Sequence, residues 1–478
     1  LQSIPNDPFY QQQWNLNNTG QTIQTGSTFF FYGDRPTVNG IPGSSMHVEE
    51  AWDFTTGSPS VKMCVIDSGI DSAHIDFQAP GHLLSGYDAF DNTEGSSVDV
   101  FNHGTSTAGI MGAVRNNGIG IAGIAPDCKL MSIKIYDING NTSSSIIARA
   151  FDTARVRGID VINNSWGGGT PKSIVTDAIN DAALNGRGGK GCIIIFASGN
   201  DGHDPPLYPS VLPNVLSVGG STTHDQMKAP GNGNQFYWGG NYGENEMGDL
   251  DIVAPTNVYA LMMGNGYEQN FWGTSATAPN AAGVAALVLS VNTGQTRLQV
   301  YENLLRGCDK PDNVSYDTTK NYGKWNEYYG YGRVNALNSV RLAAGIDVTP
   351  PTIVHKNVPS KDNTYPTIIS TEILDQDGSS VPVSGSNRPV LFFKKKKNGG
   401  AWSSYDSVNH ITNSGNNYSF QIPSQGWETE IKYYIRARDN SGNESVFPLH
   451  APNEFWLCYF SICDILSIAR NYRINYSK

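Results

Sequence analysis

From residue 60 to about 345 the chain alternates short apolar runs of strand length with longer runs of helical length. The strand-like runs are VKMCVI at 61–66, KLMSIKIY at 129–136, DVINNSW at 160–166 and CIIIFAS at 192–198. The helical patterns between them are a small-residue run from His103, IIARAFDTARVRG from Ile146 and IVTDAINDAALNG from Ile174. This alternation predicts an α/β domain, a parallel sheet flanked by helices, over residues 1–345.

Beyond a proline-marked linker at 346–351 the pattern changes. The runs TIISTEIL, RPVLFFKKKK, YSFQIPS and EIKYYIRARD have strand length, and Gly- and Asn-rich turns separate them. They predict a small all-β sandwich of the fibronectin or immunoglobulin type over 352–452. The basic run Lys394–Lys397 is interpreted as a solvated strand edge. Residues 453–478 form a tail without an assignment.

Charge and hydropathy exclude several classes of partner. With 32 basic and 43 acidic residues the net charge is −11, so we expect no nucleic-acid partner. No apolar run reaches the roughly 18 residues of a membrane helix, so we expect no membrane span. Because the sequence begins at Leu1 without a signal-type run, it is interpreted as a processed form from which any targeting segment has been removed. Cys64 and Cys192 lie in apolar strand-like runs and are predicted to be buried free thiols.

A candidate nucleophile stands in WGTSATAPN, where Ser275 precedes an Ala-rich helical run. A serine there is either a helix cap or a nucleophile, and a nucleophile needs a histidine base oriented by a carboxylate. His103 is the first residue of HGTSTAG, at a predicted helix start. Asp67 is the aspartate of VIDSGID, at the end of the first strand-like run. Asn200 ends FASGN and could donate to an oxyanion. Each residue also has an ordinary structural reading as a cap, a core histidine or a turn former.

Taken together, the four motifs resemble those of the subtilisin-like serine proteases, the subtilases. The matching segments are DSGIDSAHID around Asp67, HGTSTAG at His103, ASGND around Asn200 and GTSATAP around Ser275. The resemblance implies a secreted serine endopeptidase that works through an acyl-enzyme, with Ser275 attacking, His103 as base and acid, and Asp67 orienting it. It further implies protein or peptide substrates, a monomer, and an N-terminal propeptide in the precursor.

The family also lays an extended substrate between two protein strands, by β-augmentation. The resemblance places this cleft at two segments and a pocket wall, namely Gly140, Asn141 and Thr142, then Ser165, Trp166 and Gly167, and finally Ala197, Ser198 and Gly199. The alternative for Trp166 is an aromatic residue of the core or rim.

A structural Ca²⁺ site is the cofactor that the resemblance implies. Calcium takes six to eight oxygen ligands from carboxylates, amides and carbonyls. The matching residues are Asp7, Asp76 and the side chain of Asn117, with the carbonyls of Arg115, Ile119 and Ile121. The alternative is that the Asn-Asn-Gly segment at 116–118 is only a turn.

Three positions depart from the usual family pattern: Ser106, Ala276 and Asn280. Ala276 and the segment GRGGKG at 186–191 are similar to the kexin branch, whose members cut after basic residues. Because SWGGGTP stands where kexins place acidic residues, a broad or apolar-leaning preference is predicted instead. The alternatives are a kexin-like processing protease, a catalytically inactive binding scaffold, and a sandwich domain that carries the main function.

Overall fold

The computed structural model describes residues 4–24, 37–95, 97–229, 238–244, 248–356, 365–375, 381–426, 428–448 and 451–460. The chain divides into two compact units, Leu1–Gly345 and Ile346–Lys478. Each unit is described separately below.

The first unit contains seven α-helices and fourteen strands among its described residues. The helices are α1 (Val48–Ala51), α2 (His103–Gly112), α3 (Ser144–Val156), α4 (Ser173–Gly189), α5 (Thr274–Val291), α6 (Arg297–Gly307) and α7 (Ala336–Ala343). The strands are β1 (Thr22–Gln24), β2 (Thr37–Asn39), β3 (Lys62–Asp67), β4 (Tyr87–Asp88), β5 (Thr93–Glu94), β6 (Lys129–Lys134), β7 (Val161–Asn164), β8 (Ile193–Ala197), β9 (Leu216–Ser221), β10 (Ile252–Pro255), β11 (Val258–Met262), β12 (Gly266–Phe271), β13 (Thr318–Lys320) and β14 (Gly323–Trp325).

Eight of these strands form one sheet in the order β10-β9-β8-β7-β3-β6-β4-β5. All neighbours are parallel except β4 and β5, and β3 lies between β6 and β7, with Cys64 opposite both Met131 and Ile162. The prediction of a parallel α/β sheet is confirmed. Because parallel strands share a direction, the carboxyl ends of β3, β7 and β8 meet at one edge.

Helices cover both faces of the sheet, which explains why its strands are continuous apolar runs. Met63 and Val65 belong to one core with Ala108 of α2 and Leu287 of α5. Cys64 and Ile66, the alternate residues of β3, belong to a second core with residues of α3 and α4, including Phe151 and Ile179. The period of two along β3 therefore divides its side chains between the two layers.

Helix α5 is the central element of the larger core. Its small residues allow close packing: a Cβ built on Gly283 would lie 2.6 Å from Cβ of Ile124. With 18 residues and a mean hydropathy of 1.2 it is long and apolar enough to span a membrane. The sequence analysis expected no segment of this length and hydropathy. However, 83% of it is buried inside the protein, so its length and hydropathy are weak evidence for a membrane span.

The four described thiols of the first unit are free and buried: Cys64, Cys128, Cys192 and Cys308. This confirms the prediction for Cys64 and Cys192. Burial raises the pKa of each thiol, to about 11 for Cys128 and about 12 for Cys192 and Cys308. Cys463 lies outside the described residues.

The second unit contains only strands among its described elements: β15 (Thr352–Val354), β16 (Thr367–Leu374), β17 (Val390–Lys397), β18 (Asp406–Ser414), β19 (Asn417–Ile422), β20 (Thr429–Arg438), β21 (Glu444–Phe447) and β22 (Trp456–Phe460). They pair antiparallel in the order β15-β16-β19-β18-β17-β20-β21, with β22 also on β20. Strand β18 pairs with β17 through its first half and, past a bulge, with β19 through its second half. The strands therefore fold around one core, and the predicted all-β sandwich is confirmed.

One feature of this unit differs from the sequence reading. Strand β22 lies in the segment that was left without an assignment, so the sheet continues past residue 452; residues 461–478 lie outside the described part.

The basic run Lys394–Lys397 agrees with its interpretation as a solvated strand edge. Pairing with β18 ends at Phe393, so this half of β17 pairs in the sheet with β20 alone, apart from two hydrogen bonds between Lys395 and Ser403. The side chains of Lys395 and Lys397 are exposed.

Candidate active site

The site is built at the carboxyl edge of the main sheet, where three neighbouring strands end. Asp67 is the last residue of β3, Ser165 follows β7, and Asn200 follows β8. The other two predicted residues come from helix starts: His103 is the first residue of α2, and Ser275 is the second residue of α5. The fold thus brings together residues that are scattered over two hundred positions of the sequence.

Asp67 and His103 form a close pair. Nδ1 of His103 lies 2.8 Å from Oδ1 and 3.0 Å from Oδ2 of Asp67. The carboxylate is 2% exposed, whereas the imidazole is 33% exposed and faces the cavity described below. Burial lowers the pKa of His103, but the charge and hydrogen bond of Asp67 outweigh it, so the pKa is raised above its ordinary value. An imidazole held in this way keeps its proton on Nδ1 and presents Nε2 as a base.

Buried Asp99, which sequence reasoning missed, holds the start of α2. Its carboxylate accepts hydrogen bonds from the backbone N–H groups of Phe101, Asn102 and Thr105, at 3.0, 3.0 and 2.8 Å. An anion at a helix N-terminus is favourable because the unpaired N–H groups point toward it. Asp99 also contributes to the raised pKa of His103. An Asp four residues before a helical run is the signal that could have identified it.

Ser275 and His103 line the same cavity, which has a volume of about 290 Å³. The hydroxyl of Ser275 donates a hydrogen bond of 3.1 Å to the carbonyl oxygen of Ser165. In this structure the hydroxyl proton is therefore held by a backbone acceptor and is not directed at His103.

Pro279 explains a second contact between Ser165 and Ser275. A proline in a helix has no N–H, so the carbonyl four residues earlier loses its partner. Here that carbonyl belongs to Ser275, and it accepts a hydrogen bond of 3.0 Å from the hydroxyl of Ser165. Ser165 thus fixes the first turn of α5 to the end of β7.

Asn200 sits beside the nucleophile candidate. Its Oδ1 accepts hydrogen bonds from the backbone N–H and hydroxyl of Thr274, at 2.7 and 2.9 Å. Because Oδ1 is engaged in this way, Nδ2 is the atom of the amide that is available as a donor, and Asn200 lines the same cavity as Ser275. Gly199, with φ +114°, provides the left-handed turn that brings Asn200 to this position.

The predicted cleft residues lie around the same edge. Gly140, Asn141 and Thr142 form the turn between β6 and α3, and a Cβ on Gly140 would lie 3.5 Å from the ring of Phe101, which lines the cavity. The remaining residues follow β7 or end β8, namely Ser165, Trp166, Gly167, Ala197, Ser198 and Gly199.

Trp166 has its indole in the core. Its Nε1 donates to the carbonyl of Ile66 at 2.8 Å, and its ring packs 5.1 Å from that of Phe196. These contacts agree with the alternative of an aromatic residue of the core or rim, and the side chain is half-buried.

Aromatic residues that sequence reasoning missed form the other wall of the cavity: Phe101, Phe271 and Trp272. The ring of Phe271 lies 5.5 Å from that of His103, in an edge-to-face arrangement. Phe271 ends β12 two positions before the glycine that caps α5, so no periodic pattern marked it.

Two of the departures from the family pattern are buried structural residues. The hydroxyl of Ser106 donates to the carbonyls of Asn102 and Leu261, at 3.0 and 2.7 Å. Nδ2 of Asn280 donates to the carbonyls of Pro255 and Ala276, both at 3.0 Å. Both side chains are satisfied, and neither lines the cavity.

The candidate calcium residues lie together at a different place on the unit. Oδ1 and Oδ2 of Asp7 accept from the backbone of Asn117 and Asn116, at 3.3 and 2.9 Å. Asp76 accepts from Nδ2 of Asn117 and from the N–H of Ile121, at 2.8 and 2.9 Å. Two buried carboxylates thus meet the loop 115–121 that carries the predicted carbonyls of Arg115, Ile119 and Ile121.

Electrostatics favour a cation there. Burial chiefly, with a smaller contribution from the neighbouring charge of Asp7, raises the pKa of Asp76 to about 7, although hydrogen bonds from Ile121 and Asn117 oppose the shift. The pKa of Asp7 is raised as well, again chiefly by burial. Buried carboxylates of this kind are stabilised by metal coordination. The donor set of two carboxylates, an amide and carbonyls fits Ca²⁺.

A parallel α/β sheet that presents Asp, His and Ser, in that chain order, at its carboxyl edge defines the subtilisin type of protein. A comparison with protein-family models agrees: residues 58–332 match the model described as the subtilase family. The chain belongs to the subtilase family.

Individual relatives carry names of proteases. The chain is 32% identical over 295 residues to the thermophilic serine proteinase of Bacillus sp. (strain AK1), covering 62% of this chain and 65% of that protein. It is 31% identical over 383 residues to the calcium-dependent protease of Nostoc sp. (strain PCC 7120), covering 72% of this chain and 53% of that one. A solved protease structure from Pseudoalteromonas arctica PAMC 21717 aligns with a TM-score of 0.52 and 25% identity, covering 71% of this chain and all of that one. The chain thus spans between half and two thirds of the length of these two relatives.

Proposed function

We propose that the protein is a serine endopeptidase that hydrolyses peptide bonds through Ser275, His103 and Asp67. The observation that carries the proposal is the hydrogen-bonded pair of Asp67 and His103, with Ser275 lining the same cavity. A catalytically inactive scaffold is less well supported, because no residue of the set is replaced.

In the proposed mechanism the hydroxyl of Ser275 turns from the carbonyl of Ser165 toward Nε2 of His103. It attacks the scissile carbonyl while His103 takes its proton, and His103 then gives that proton to the leaving amine. Water reverses the sequence and releases the acyl group. Asp67 stays ionised, fixes the tautomer of the imidazole and stabilises the imidazolium.

The oxyanion would be held by two donors, Nδ2 of Asn200 and the backbone N–H of Ser275. The latter belongs to the first turn of α5, where N–H groups have no partner within the helix. Because Pro279 has no N–H, the carbonyl of Ser275 is free to accept the hydrogen bond from the Ser165 hydroxyl, and this bond helps to keep the turn in place.

For specificity, we propose a broad or apolar-leaning primary pocket. The segments predicted to form its wall, 165–167 and 197–199, contain no charged side chain. Asp201 and Asp204, the nearest acids along the chain, are exposed. A kexin-like preference for basic residues would need a carboxylate at the base of the pocket.

The calcium proposal gives the ion a structural role. Asp7, Asp76 and Asn117, with the carbonyls of Arg115, Ile119 and Ile121, would hold it, and it would neutralise the two buried carboxylates. We further propose that the protein is secreted, acts as a monomer on protein or peptide substrates, and is made with an N-terminal propeptide.

The deciding experiment compares Ser275→Ala with Ser290→Ala, a serine of the same helix whose hydroxyl bonds to the carbonyl of Ala286. We expect Ser275→Ala to lose both casein hydrolysis and labelling by a fluorophosphonate, whereas Ser290→Ala keeps both. Hydrolysis that survives in a folded Ser275→Ala protein would remove the assignment. Absence of both labelling and hydrolysis in the unaltered, folded protein would support the inactive scaffold instead.

A further inference from the structure

The second unit exposes a sheet face that is unusually rich in cations and rings. Along β17 and β20 the alternate residues Leu391, Phe393, Ile431 and Tyr433 point into the core. The residues between them, and those that flank them, lie on the opposite face. We call this the lysine–aromatic face: Phe392, Lys394, Lys396, Trp402, Tyr405, Lys432, Tyr434, Arg436 and Phe455.

The rings of this face form a connected row. Phe392 and Tyr434 are cross-strand partners, and their rings stack with centroids 4.9 Å apart and an interplanar angle of 11°. Tyr405 meets Tyr434 edge to face at 5.4 Å. None of these rings is fully buried, so the face offers apolar surface to a ligand.

The cations converge although they repel each other. Lys394 and Lys432 stand directly opposite across the two strands. The ammonium groups of Lys394, Lys396 and Lys432 lie 5.9, 5.1 and 4.5 Å from the ring centroid of Trp402, and that of Lys432 lies 3.6 Å from the ring of Phe455. Like charges directly opposite in a sheet are destabilising. Burial and the two neighbouring lysines lower the pKa of Lys432, which is the electrostatic consequence.

Carboxylates neutralise only part of this charge. Glu430 pairs with Lys396 at 2.8 Å, and Glu444 pairs with Arg438 at 2.6 Å and lies 3.8 Å from Arg436. Within the described residues, no carboxylate reaches ion-pair distance of Lys394 or Lys432. The concentration is local, because the unit as a whole carries 13 basic and 12 acidic residues and the chain is acidic.

We propose that the lysine–aromatic face binds an acidic polysaccharide of the polyuronate type. Its carboxylates would meet the ammonium groups of Lys394 and Lys432, which stay over the rings, and its sugar rings would contact only the exposed edges of Tyr405, Tyr434 and Trp402. Side chains on one face of a strand repeat at roughly 6.6 Å, so the face presents its groups in rows that suit a linear polymer. The ligand's negative charge relieves the repulsion that the fold otherwise tolerates.

A single-stranded nucleic acid is the other polymer with charges and rings, and the face fits it less well. Bases bind by stacking on open aromatic faces. Here the ammonium groups already lie over Trp402 and Phe455, and Phe392 and Tyr434 stack on each other. Ionic contact with carboxylates leaves these arrangements in place, whereas base stacking would have to displace them.

The test is affinity electrophoresis of the full-length protein in native gels that contain polygalacturonate, with dextran as the neutral polymer. We expect retardation by polygalacturonate alone, weakened by added salt. The double substitution Lys394→Gln and Lys432→Gln should raise the dissociation constant at least about tenfold, or ~1.4 kcal/mol.

The matched control is Lys395→Gln with Lys397→Gln, which removes the same charge from the same strand on the other face. It should bind like the unaltered protein, and circular dichroism spectra and melting curves that match those of the unaltered protein show that the second unit is folded in both doubles. Absence of retardation by polygalacturonate overturns the proposal. Equal weakening in both doubles also overturns it, as does tighter binding of an oligothymidylate than of oligogalacturonate in a titration.

Discussion

The position of one proton distinguishes the resting site from the working one. In this structure the hydroxyl of Ser275 is engaged by the carbonyl of Ser165, while Nδ1 of His103 is already fixed by Asp67. The base is therefore preorganised and the nucleophile is not. Catalytic hydrogen bonds in free enzymes are commonly loose and tighten when substrate binds, so we expect the bond between Ser275 and His103 to form in the substrate complex.

The first prediction concerns Asp67. Asp67→Asn should lower kcat by roughly 10⁴, because the amide no longer selects the correct tautomer of His103. His103 must be neutral to accept a proton, so its raised pKa sets the acid limb of the kcat/KM profile above the ordinary histidine value. Without the carboxylate that pKa falls, and the limb moves to lower pH. A limb that stays in place would show that another group titrates.

The second prediction concerns Asn200. Asn200→Ala should lower kcat by about 10²–10³ with little change in KM, because the donor acts on charge that develops only in the transition state. Its carbonyl oxygen also holds Thr274, so Thr274→Val serves as the control for lost structure. If Thr274→Val reproduces the whole loss, Asn200 acts by positioning α5 and not as an oxyanion donor.

At the scale of elements, two helix starts carry the site, and close backbone contacts fix them. Gly104, the second residue of α2, packs against the backbone of Gly69, and a Cβ on it would overlap the Gly69 carbonyl oxygen. Ser68 bridges the same helix to Asp99, donating to it at 2.7 Å and accepting from the N–H of Gly104 at 2.9 Å. The position of His103 therefore depends on a helix start that has no room to shift.

The third prediction follows from this contact. Gly104→Ala should displace α2 or unfold the unit, since a clash with backbone cannot be relieved by a rotamer change, and hydrolysis should fall far below that of the unaltered protein. Gly294→Ala is the control, because its Cβ would meet only the side chain of Asn292 at 3.1 Å and its stability should change by less than about 1 kcal/mol. Normal activity and melting in Gly104→Ala would contradict the role given to α2.

Sequence patterns predicted the alternating elements well, because continuous apolar runs of strand length and the longer helical runs between them are easy to tell apart when they alternate. They predicted β3, β6, β7 and β8 and the two helices that follow β6 and β7 to within a few residues. Strand β18 was not predicted because its residues are mostly exposed and do not alternate regularly between apolar and polar. Strand β22 was not predicted because its place in the sheet comes from pairing with β20 and not from a local sequence pattern. Asp99 and Phe271 escaped because tertiary contacts, and no local pattern, give them their roles.

For the whole molecule, the calcium residues connect the N-terminal segment to the body of the first unit. Asp7 and Phe9 contact the loop 115–121, through Asn116, Asn117 and the carbonyl of Gly120. The segment is far from this loop in sequence, so a bound ion would stabilise long-range contacts of the folded state only. An ion that binds only the folded state raises the free energy of unfolding, by about 4 kcal/mol when its free concentration is a thousand times its dissociation constant.

The fourth prediction is that EGTA lowers the melting temperature by several degrees and that added Ca²⁺ restores it. The double substitution Asp7→Asn with Asp76→Asn should melt at the same temperature with and without Ca²⁺, because the charged ligands are gone. A chelator effect that persists in this variant would place the ion elsewhere. Differential scanning calorimetry at fixed pH separates these outcomes.

The fifth prediction concerns the division into two units. A chain that ends at Gly345 should hydrolyse a short peptide within about twofold of the full chain, since all proposed catalytic residues precede the linker. It should lose the affinity for polygalacturonate. Loss of peptide hydrolysis from a soluble, folded truncated chain would show that the second unit contributes to catalysis.

The four enclosed sulfhydryls have a practical consequence. Because they are buried and their pKa values are raised, we expect them to react slowly with thiolate-seeking reagents for as long as the native state holds together. Each one becomes modifiable only when its own part of the first unit opens. The rate at which each of the four cysteines is alkylated, followed by mass spectrometry, would therefore report how often its part of the first unit opens, locally or by global unfolding.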